Sequence, residues 1–312
     1  MRKLLYRTFG GLDVLELAEV AVREPAADEI LVRVKAAGVN PVDWKMREGQ
    51  VKFLTGWRMP QGQGLEFAGT VERVGRSVTG YTTGDEVFGA GKDCIADYCI
   101  AKAHNLAKKP ASVSFAIAST IPCVGTTAAS AFKRANIGNG TEVLVNGATG
   151  GIGMFATQMA IARGASVTAV VSEKGVALVE GWGVARVLNY RDTNILDEGR
   201  RYDVVLELSD KLPFSRAKSI LKPGGTFVAS LPNPAELIPG MLGNLVSSRK
   251  YALMGMRAKS AELSAIVSDV AAGRLQVVVG KSFRIEEFRE AYSQSSAGKV
   301  LGKSVFVLDD NQ

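Results

Sequence analysis

Short stretches in which hydrophobic and polar residues alternate dominate the first hundred positions of the chain. Residues 12–22 alternate loosely, residues 29–37 alternate clearly, and residues 70–74 are rich in β-branched side chains. A period of two is typical of β-strands that bury one face. Glycine recurs at eight positions from Gly62 to Gly91, which suits tight corners between strands. The pattern predicts a small, closed, barrel-like β domain.

From about residue 114 the pattern changes to helices that alternate with apolar strands. An Ala-rich helix is predicted over residues 116–134, and further helices over 151–163 and 174–182. Buried strands are predicted at 141–146, 166–171, 202–208, 225–231 and 251–256. This succession of βαβ units predicts a doubly wound parallel sheet of the Rossmann type.

The end of the chain returns to β character after a helix predicted at residues 261–272. Strands are predicted at 276–283 and 304–308, with a helix at 285–294 between them. A length of 312 residues favours two domains. We assign the tail to the first domain, so the predicted domains are residues 1–115 with 274–312, and residues 116–273 inserted between them.

Charge and composition narrow the functional classes. The net charge is +7, but the Lys and Arg residues are scattered and no basic run is interleaved with aromatic residues, so we expect no nucleic-acid partner. A cleft for an anionic cofactor would account for part of the excess positive charge. No apolar run approaches the ~20 residues that cross a bilayer and no signal peptide is evident, which predicts a cytoplasmic protein without membrane contact. Cys94, Cys99 and Cys123 suggest no disulfide framework, and we expect free thiols.

The most informative stretch is residues 143–153, where an apolar strand leads directly into a glycine-rich turn and then a helix. Unpaired N–H groups and a partial positive charge at a helix N-terminus attract phosphate, and glycines let the phosphate approach the backbone. The spacing of Gly147, Gly150 and Gly153 departs from GxGxxG, but the βαβ context favours dinucleotide binding. The alternative is a purely structural turn. The predicted cofactor-binding residues here are Gly150, Gly151, Ile152 and Gly153.

The next strand ends at Ser172, Glu173 and Lys174, where the ribose of the adenosine half is expected. A hydroxyl and an ammonium group suit a 2′-phosphate, so this segment favours NADP(H). Glu173 leaves NAD(H) open, because a carboxylate turned inward would accept the 2′-hydroxyl. All three residues are also compatible with a solvated helix start.

Residues typical of metal sites are scarce. The chain contains one histidine, His104, and its cysteines do not follow a usual zinc spacing, so neither a catalytic nor a structural zinc is expected. His104 is predicted to be a surface residue rather than a base. No GxSxG nucleophile elbow is present either.

Several motifs together resemble one family. They are residues 38–45 (GVNPVDWK), 64–71 (GLEFAGTV), 84–89 (GDEVFG) and the glycine turn, in that order over nearly the whole chain. The chain resembles the zinc-independent quinone oxidoreductase branch of the medium-chain dehydrogenases/reductases, which includes ζ-crystallin-like proteins and enone reductases. The resemblance implies a GroES-like catalytic domain, a Rossmann domain and commonly a homodimer. Asn40 and Leu65 stand where zinc-dependent relatives carry Cys and His.

The resemblance also implies roles for individual residues. Asn40 and Lys45 match positions beside the nicotinamide and the substrate, and Gly302 with Lys303 matches a C-terminal Gly-Lys pair. The further cofactor contacts that it implies are Thr127, Gly151, Ile152, Ser172, Lys174, Tyr190, Ser230 and Leu231.

The predicted reaction is hydride transfer from C4 of NADPH to a quinone or an α,β-unsaturated carbonyl compound. The oxygen that gains negative charge needs a donor, which Lys45 or Asn40 would supply, and water would provide the final proton. Two alternatives stay open: a zinc-free alcohol or carbonyl dehydrogenase, and a non-catalytic protein that binds NADPH as a redox sensor or binds RNA.

Overall fold

The structure of the protein is a computed structural model. It describes residues 1–52, 56–230, 234–298 and 300–308. The chain divides into two compact units: Met1–Cys123 with Arg257–Gln312, and Val124–Met256. The sequence assigned residues 116–123 and 257–273 to the second domain, whereas here they belong to the first unit. The helix Ser260–Ala271 packs against the strand Leu106–Lys108, which explains its place in the first unit.

The first unit is built mainly from β-strands, which are numbered along the whole chain. In its described part, a three-stranded sheet has the order β2-β1-β4, and a seven-stranded sheet has the order β15-β16-β3-β5-β6-β8 with β7 also paired to β3. The strands are β1 Arg2–Tyr6, β2 Leu15–Glu19, β3 Glu29–Gly38, β4 Gln61–Gly62, β5 Glu66–Val74, β6 Glu86–Ala90, β7 Tyr98–Lys102, β8 Leu106–Lys108, β15 Val279–Arg284 and β16 Lys303–Val307.

Strand β3 organises this unit because it pairs with three other strands, β5, β7 and β16, all antiparallel. Its apolar side chains, including Ile30, Val32 and Val34, lie in the buried core, while Arg33 stays exposed. Strand β16 pairs with β3, so the end of the chain lies in the same sheet as the N-terminal strands. The helices of this unit are α1 Pro41–Arg47, α2 Phe115–Ala118, α8 Ser260–Ala271 and α9 Phe288–Ser296.

The second unit contains a parallel sheet of six strands in the part of the chain described, with the order β11-β10-β9-β12-β13-β14. Numbered within the unit, this is the doubly wound order 3-2-1-4-5-6, which reverses between β9 and β12. The prediction of a Rossmann-type sheet is therefore confirmed. The strands are β9 Glu142–Asn146, β10 Ser166–Val171, β11 Arg186–Asn189, β12 Tyr202–Glu207, β13 Leu221–Ala229 and β14 Lys250–Leu253.

The sheet strands are nearly continuous apolar runs because parallel strands are covered on both faces. The helices are α3 Thr126–Ala135, α4 Gly151–Ala162, α5 Val176–Gly181, α6 Phe214–Ala217 and α7 Pro234–Gly243. Helix α4 is apolar almost all round and is buried from Gly153 to Ala160, as expected of a helix inside a domain.

Several elements differ from the predicted ones. The predicted helix 116–134 is interrupted, because a π-helical turn at Ile121–Gly125 separates α2 from α3. Strand β11 was not predicted, since its four residues are too short for a periodicity to appear. By length and composition Phe115–Ala135 also qualifies as a candidate membrane span, but 67% of its most apolar window is buried inside the protein, as in a core helix.

Candidate functional site

The glycine turn of the second unit follows directly after β9. Gly147 adopts φ +91°, a left-handed conformation that glycine favours. A Cβ on Gly153 would lie 2.2 Å from the carbonyl oxygen of Gly147, so only glycine fits where α4 crosses the turn. The turn is therefore formed by backbone atoms packed too closely for side chains.

Helix α4 begins at Gly151 with Gly150 as its N-cap, and within the described residues no side chain caps it. The N–H groups of its first turn are thus left for an external acceptor at the positive end of a twelve-residue helix. This end lies at the carboxyl edge of β9, beside the point where the strand order reverses, which is where open α/β sheets bind ligands. The geometry fits a pyrophosphate group.

The end of β10 carries the three residues on which the choice of cofactor depends. Ser172 is half-buried, whereas Glu173 and Lys174 are exposed. The Nδ2 group of Asn189, at the end of the neighbouring strand β11, donates to the Glu173 carboxylate at 3.1 Å and to Asp192 at 2.6 Å. Glu173 is therefore held on the β11 side of β10, away from β9 and its glycine turn.

Tyr190 lies next to this segment. Its backbone N–H donates to the Val171 carbonyl at 3.1 Å, which places it beside Ser172, and 56% of the residue is exposed. The structure thus brings residues 172–174 and Tyr190 together at one sheet edge, as an adenosine site would require. Thr127 lies in the same unit, on α3, and is 7% exposed.

A buried polar pair stands at the strand-order reversal itself. Asn146 ends β9 and Glu207 ends β12, and the Asn146 Nδ2 group donates to Glu207 at 2.6 Å. The same carboxylate accepts from the backbone N–H groups of Ser209 and Lys211 at 3.0 and 3.1 Å. These bonds fix the loop after β12. Sequence reasoning missed Glu207, although an acid that ends an apolar strand was a visible signal.

Ser230 follows β13, and its N–H donates to the Glu207 carbonyl at 3.1 Å. It lines a cavity of about 260 Å³ together with Glu207, Asp210, Phe227, Glu236 and Tyr251. Leu231, its predicted partner in lining the nicotinamide, lies outside the described residues.

The first unit contains a separate buried polar cluster around Asn40, which is 1% exposed. Its Nδ2 group donates to Glu66 Oε1 at 2.8 Å, and its Oδ1 accepts from Lys303 Nζ at 2.6 Å. The other Glu66 oxygen accepts the backbone N–H of Cys123 at 2.7 Å. The sequence predicted Asn40 and Lys303 as separate site residues. They are in direct contact, although they lie 263 positions apart in the chain.

Lys303 is buried and its three ammonium hydrogens match three protein acceptors. They are Asn40 Oδ1, Glu66 Oε1 at 2.8 Å and the Val39 carbonyl at 2.8 Å. Because an ammonium group has three donors and no acceptor, this set saturates it. Gly302, which precedes it, has φ +71°, and a Cβ there would lie 2.2 Å from the Val278 carbonyl oxygen.

Asp43 extends this cluster into helix α1. Its carboxylate accepts the Asn40 backbone N–H at 2.9 Å, which forms part of a capping box at the start of α1. Burial raises its pKa to about 7, although the Asn40 N–H and the charges of Lys303 and Arg47 act in the opposite direction. Burial also raises the pKa of Tyr292, whose ring lies 5.5 Å from the Arg47 guanidinium carbon.

Lys45 lies on α1 between Asp43 and Arg47 and is half-buried. Asp43 and Arg47 lie two positions before and after Lys45, and both are buried. They therefore anchor the helix that carries Lys45.

The three cysteines of the chain all belong to the first unit. Cys94, Cys99 and Cys123 are free thiols, as predicted, and burial raises the pKa of Cys123. Among residues 1–52, 56–230, 234–298 and 300–308, no group of three or more His, Cys, Asp or Glu side chains is arranged to hold a metal ion.

Residues 26–172 match the alcohol dehydrogenase GroES-like domain family, and residues 182–306 match the zinc-binding dehydrogenase family. The quinone oxidoreductase of Lama guanicoe is 30% identical over 321 residues, covering 96% of this chain and 97% of that protein. The chloroplastic NADPH-dependent alkenal/one oxidoreductase of Arabidopsis thaliana is 32% identical over 242 residues, covering 73% of this chain and 62% of that protein.

The solved quinone oxidoreductase structure from Coxiella burnetii superimposes with a TM-score of 0.91 at 26% identity and covers 99% of both chains. These similarities confirm the predicted GroES-like and Rossmann architecture. The plant relative is chloroplastic, so the cytoplasmic location expected for this chain stays a prediction. With a relative that is 30% identical over 96% of this chain and a solved structure that superimposes on 99% of it, the chain belongs to the quinone oxidoreductase family of the medium-chain dehydrogenases/reductases.

Proposed function

We propose that the protein is an NADPH-dependent oxidoreductase that reduces a quinone or an α,β-unsaturated carbonyl compound. The observation that carries the proposal is the uncapped α4 N-terminus beside a glycine turn too tight for side chains, at the strand-order reversal of a Rossmann sheet. When bound, NADPH supplies the hydride. The kinship with quinone and alkenal/one oxidoreductases supports both substrate classes.

In this proposal, Gly150, Gly151, Ile152 and Gly153 hold the pyrophosphate through backbone N–H groups. Ser172 and Lys174 hold the 2′-phosphate by a hydroxyl and a positive charge. The Asn189 contact supports NADPH over NADH, because it keeps the Glu173 carboxylate on the β11 side, away from a ribose that follows the glycine turn.

The other residues proposed to contact the cofactor differ in how far they are exposed. Tyr190 is exposed enough to contact the adenosine half, Thr127 is proposed as a further cofactor contact, and Ser230 and Leu231 are proposed to line the nicotinamide. Gly302 and Lys303 serve differently in this proposal. Since every Lys303 ammonium hydrogen is already used, the pair acts by fixing Asn40 and Glu66.

The oxygen of the acceptor gains negative charge as the hydride arrives, and a donor nearby lowers the barrier. We assign this donor to Lys45. Asn40 has its carbonyl oxygen and one amide hydrogen committed to Lys303 and Glu66, so it acts by orienting the start of α1. The final proton comes from water.

The first experiment follows oxidation of NADPH and NADH side by side with quinones, enones and simple aldehydes. The proposal expects turnover with NADPH and quinones or enones. Turnover of aldehydes alone would instead support a carbonyl dehydrogenase. Tight NADPH binding without reduction of any acceptor would support a redox sensor, and a filter-binding assay over a salt series would test RNA binding.

Lys45→Met tests the proposed donor. Loss of one donor to a developing oxyanion lowers kcat by about a hundredfold, while the NADPH dissociation constant, measured by fluorescence quenching, stays within about twofold. Lys52→Met, another half-buried lysine but outside α1, is the matched control and is expected to leave kcat unchanged. Unchanged turnover in Lys45→Met would remove this residue from the mechanism.

A further inference from the structure

Cys94 and Cys99 form a pair of buried thiols in the first unit that the proposed reaction does not use. Cys94 is 0% and Cys99 is 2% exposed, and their sulfur atoms lie 3.5 Å apart. A buried cysteine usually packs as a small apolar side chain. Two thiols in direct contact have a further chemistry open to them, because a disulfide needs two sulfurs that can approach to about 2 Å.

The two thiols are carried by elements of different rigidity. Cys99 lies on β7, where it pairs with Val32 of the central strand β3. Cys94 lies in the irregular loop between β6 and β7, in which Asp93 adopts φ +60°, a left-handed conformation. A disulfide requires the sulfurs to approach by a further ~1.5 Å. The loop and the rotation of both side chains can supply this movement while β7 keeps its register.

Hydrogen bonds hold the loop in the position that brings the two sulfurs together. The backbone N–H of Cys94 donates to the Gly64 carbonyl at 3.2 Å, and that of Ile95 donates to the Gln63 carbonyl at 2.9 Å. The thiols therefore stay adjacent without a search by the chain. Once one sulfur is oxidised, closure onto the other is an intramolecular step between atoms already in contact, which favours it strongly.

Gly91 leaves space beside both sulfurs. A Cβ at this position would lie 2.9 Å from the Cys99 sulfur and 3.2 Å from the Cys94 sulfur. Gly91 is itself partly exposed, and Lys92 beside it is exposed. On this side the cover over the sulfurs is thus one residue without a side chain. A small oxidant can pass such a cover when the loop fluctuates, whereas a large one cannot.

We propose that Cys94 and Cys99 form a site of reversible oxidation, at which a peroxide that enters past Gly91 converts the two thiols into a disulfide. One thiol reduces hydrogen peroxide to water and becomes a sulfenic acid. The other thiol attacks that sulfur, the S–S bond forms, and a second water leaves. Two thiols thereby lose two electrons and two protons, and one peroxide gives two waters. The proposal is independent of the reaction proposed above.

The surroundings of the pair set the pace of this oxidation. Burial raises the pKa of the Cys94 thiol well above its usual range, and the neighbouring Cys99 sulfur acts in the same direction. Because a thiol attacks peroxide as its thiolate, the reaction is slow and needs an excess of peroxide. The pair therefore stays reduced under the reducing conditions that the sequence predicts, where protein disulfides form transiently.

The test uses the fact that one tryptic peptide, residues 93–102, contains both thiols. The reduced, folded full-length protein is treated with excess hydrogen peroxide, then unfolded, alkylated with N-ethylmaleimide and digested with trypsin. The peptide is expected to carry no label and to weigh about 2 Da less than its dithiol form, because two hydrogens are lost. Dithiothreitol added before alkylation should restore both labels.

Variants locate the reaction. Cys123→Ser removes the third thiol of the chain and is the matched control, in which peptide 93–102 is oxidised as in the wild type. Gly91→Ala keeps both thiols but covers them, and is expected to form the disulfide about tenfold more slowly at an unchanged unfolding temperature.

Three results would overturn the proposal. The first is a peptide 93–102 that keeps both labels at every peroxide concentration at which the protein stays folded. The second is a peptide that only gains oxygen, as sulfinic acid, or that is linked to another chain. The third is a rate of oxidation in Gly91→Ala equal to that of the wild type.

Discussion

The glycine turn of the second unit and the Asn40 cluster of the first unit are built in opposite ways. The turn uses backbone groups within residues 147–153, and its chemistry arises from the start of one helix. The cluster joins side chains from β5, β16 and the start of α1, residues up to 263 positions apart. A site made of local backbone tolerates change outside it, whereas a site made of distant buried charges depends on every partner.

The largest effect on stability is expected in the Asn40 cluster, because its buried charges depend on one another. Lys303→Met leaves the Glu66 carboxylate buried without its cation, which costs about 3–5 kcal/mol in the free energy of unfolding. Urea denaturation measures it. The control is Lys222→Met, whose partly exposed pairs with Glu142 and Asp203 are expected to contribute within about 1 kcal/mol. Equal losses of unfolding free energy in the two variants would show that the buried cluster stabilises the protein no more than a partly exposed ion pair does.

Adding Glu66→Gln to Lys303→Met sharpens the same comparison. With the carboxylate neutralised, part of the lost stability returns, because the main cost is an unpaired buried charge rather than lost packing. No recovery would mean that packing of the lysine stem dominates.

The second effect concerns the turn. Gly153→Ala places a Cβ 2.2 Å from the Gly147 carbonyl oxygen, which displaces the turn and weakens NADPH binding by about a hundredfold. Titration of NADPH by protein fluorescence measures the change. Gly181→Ala, at a helical glycine with no atom near the new Cβ, is the control and leaves the affinity unaltered. If Gly153→Ala binds NADPH normally, the turn does not hold the cofactor.

The third effect is a pH dependence from Asp43. Its folded-state pKa of about 7 lies above the usual unfolded value, so the stability it contributes is fully present below about pH 4 and is lost as the pH rises through 7. Asp43→Asn removes this loss. The unfolding free energy of the variant minus that of the wild type should rise by about 4 kcal/mol from pH 4 to pH 8, because the shift of about three pKa units contributes ~1.4 kcal/mol per unit. Parallel pH profiles would place the pKa of Asp43 near its ordinary value.

The smallest effect tests the cofactor preference. Lys174→Ala removes one charge from the proposed 2′-phosphate site and should weaken NADPH binding about tenfold, with NADH affinity nearly constant. Lys218→Ala makes the same charge change at another exposed position of the unit and serves as the control. If NADPH and NADH affinities fall together, Lys174 acts only through the general field of the protein.

The sequence alone was sufficient for the parts of this protein that depend on neighbouring residues. The apolar runs predicted the Rossmann sheet, and the glycines after Asn146 predicted the turn, because strand period and glycine conformation are local properties. Ser172, Glu173 and Lys174 could be located for the same reason, at the end of a recognisable strand.

Tertiary structure decided which side chains meet. Periodicity does not reveal that Lys303 saturates its donors on Asn40, Glu66 and Val39, or that Asn189 holds Glu173 on one side of β10. Nor does it distinguish Leu237, which is packed, from Leu245, which is exposed. These outcomes depend on strand pairing and on contacts between residues far apart in the chain. Desolvation and hydrogen-bond geometry act only once the chain has brought those groups together.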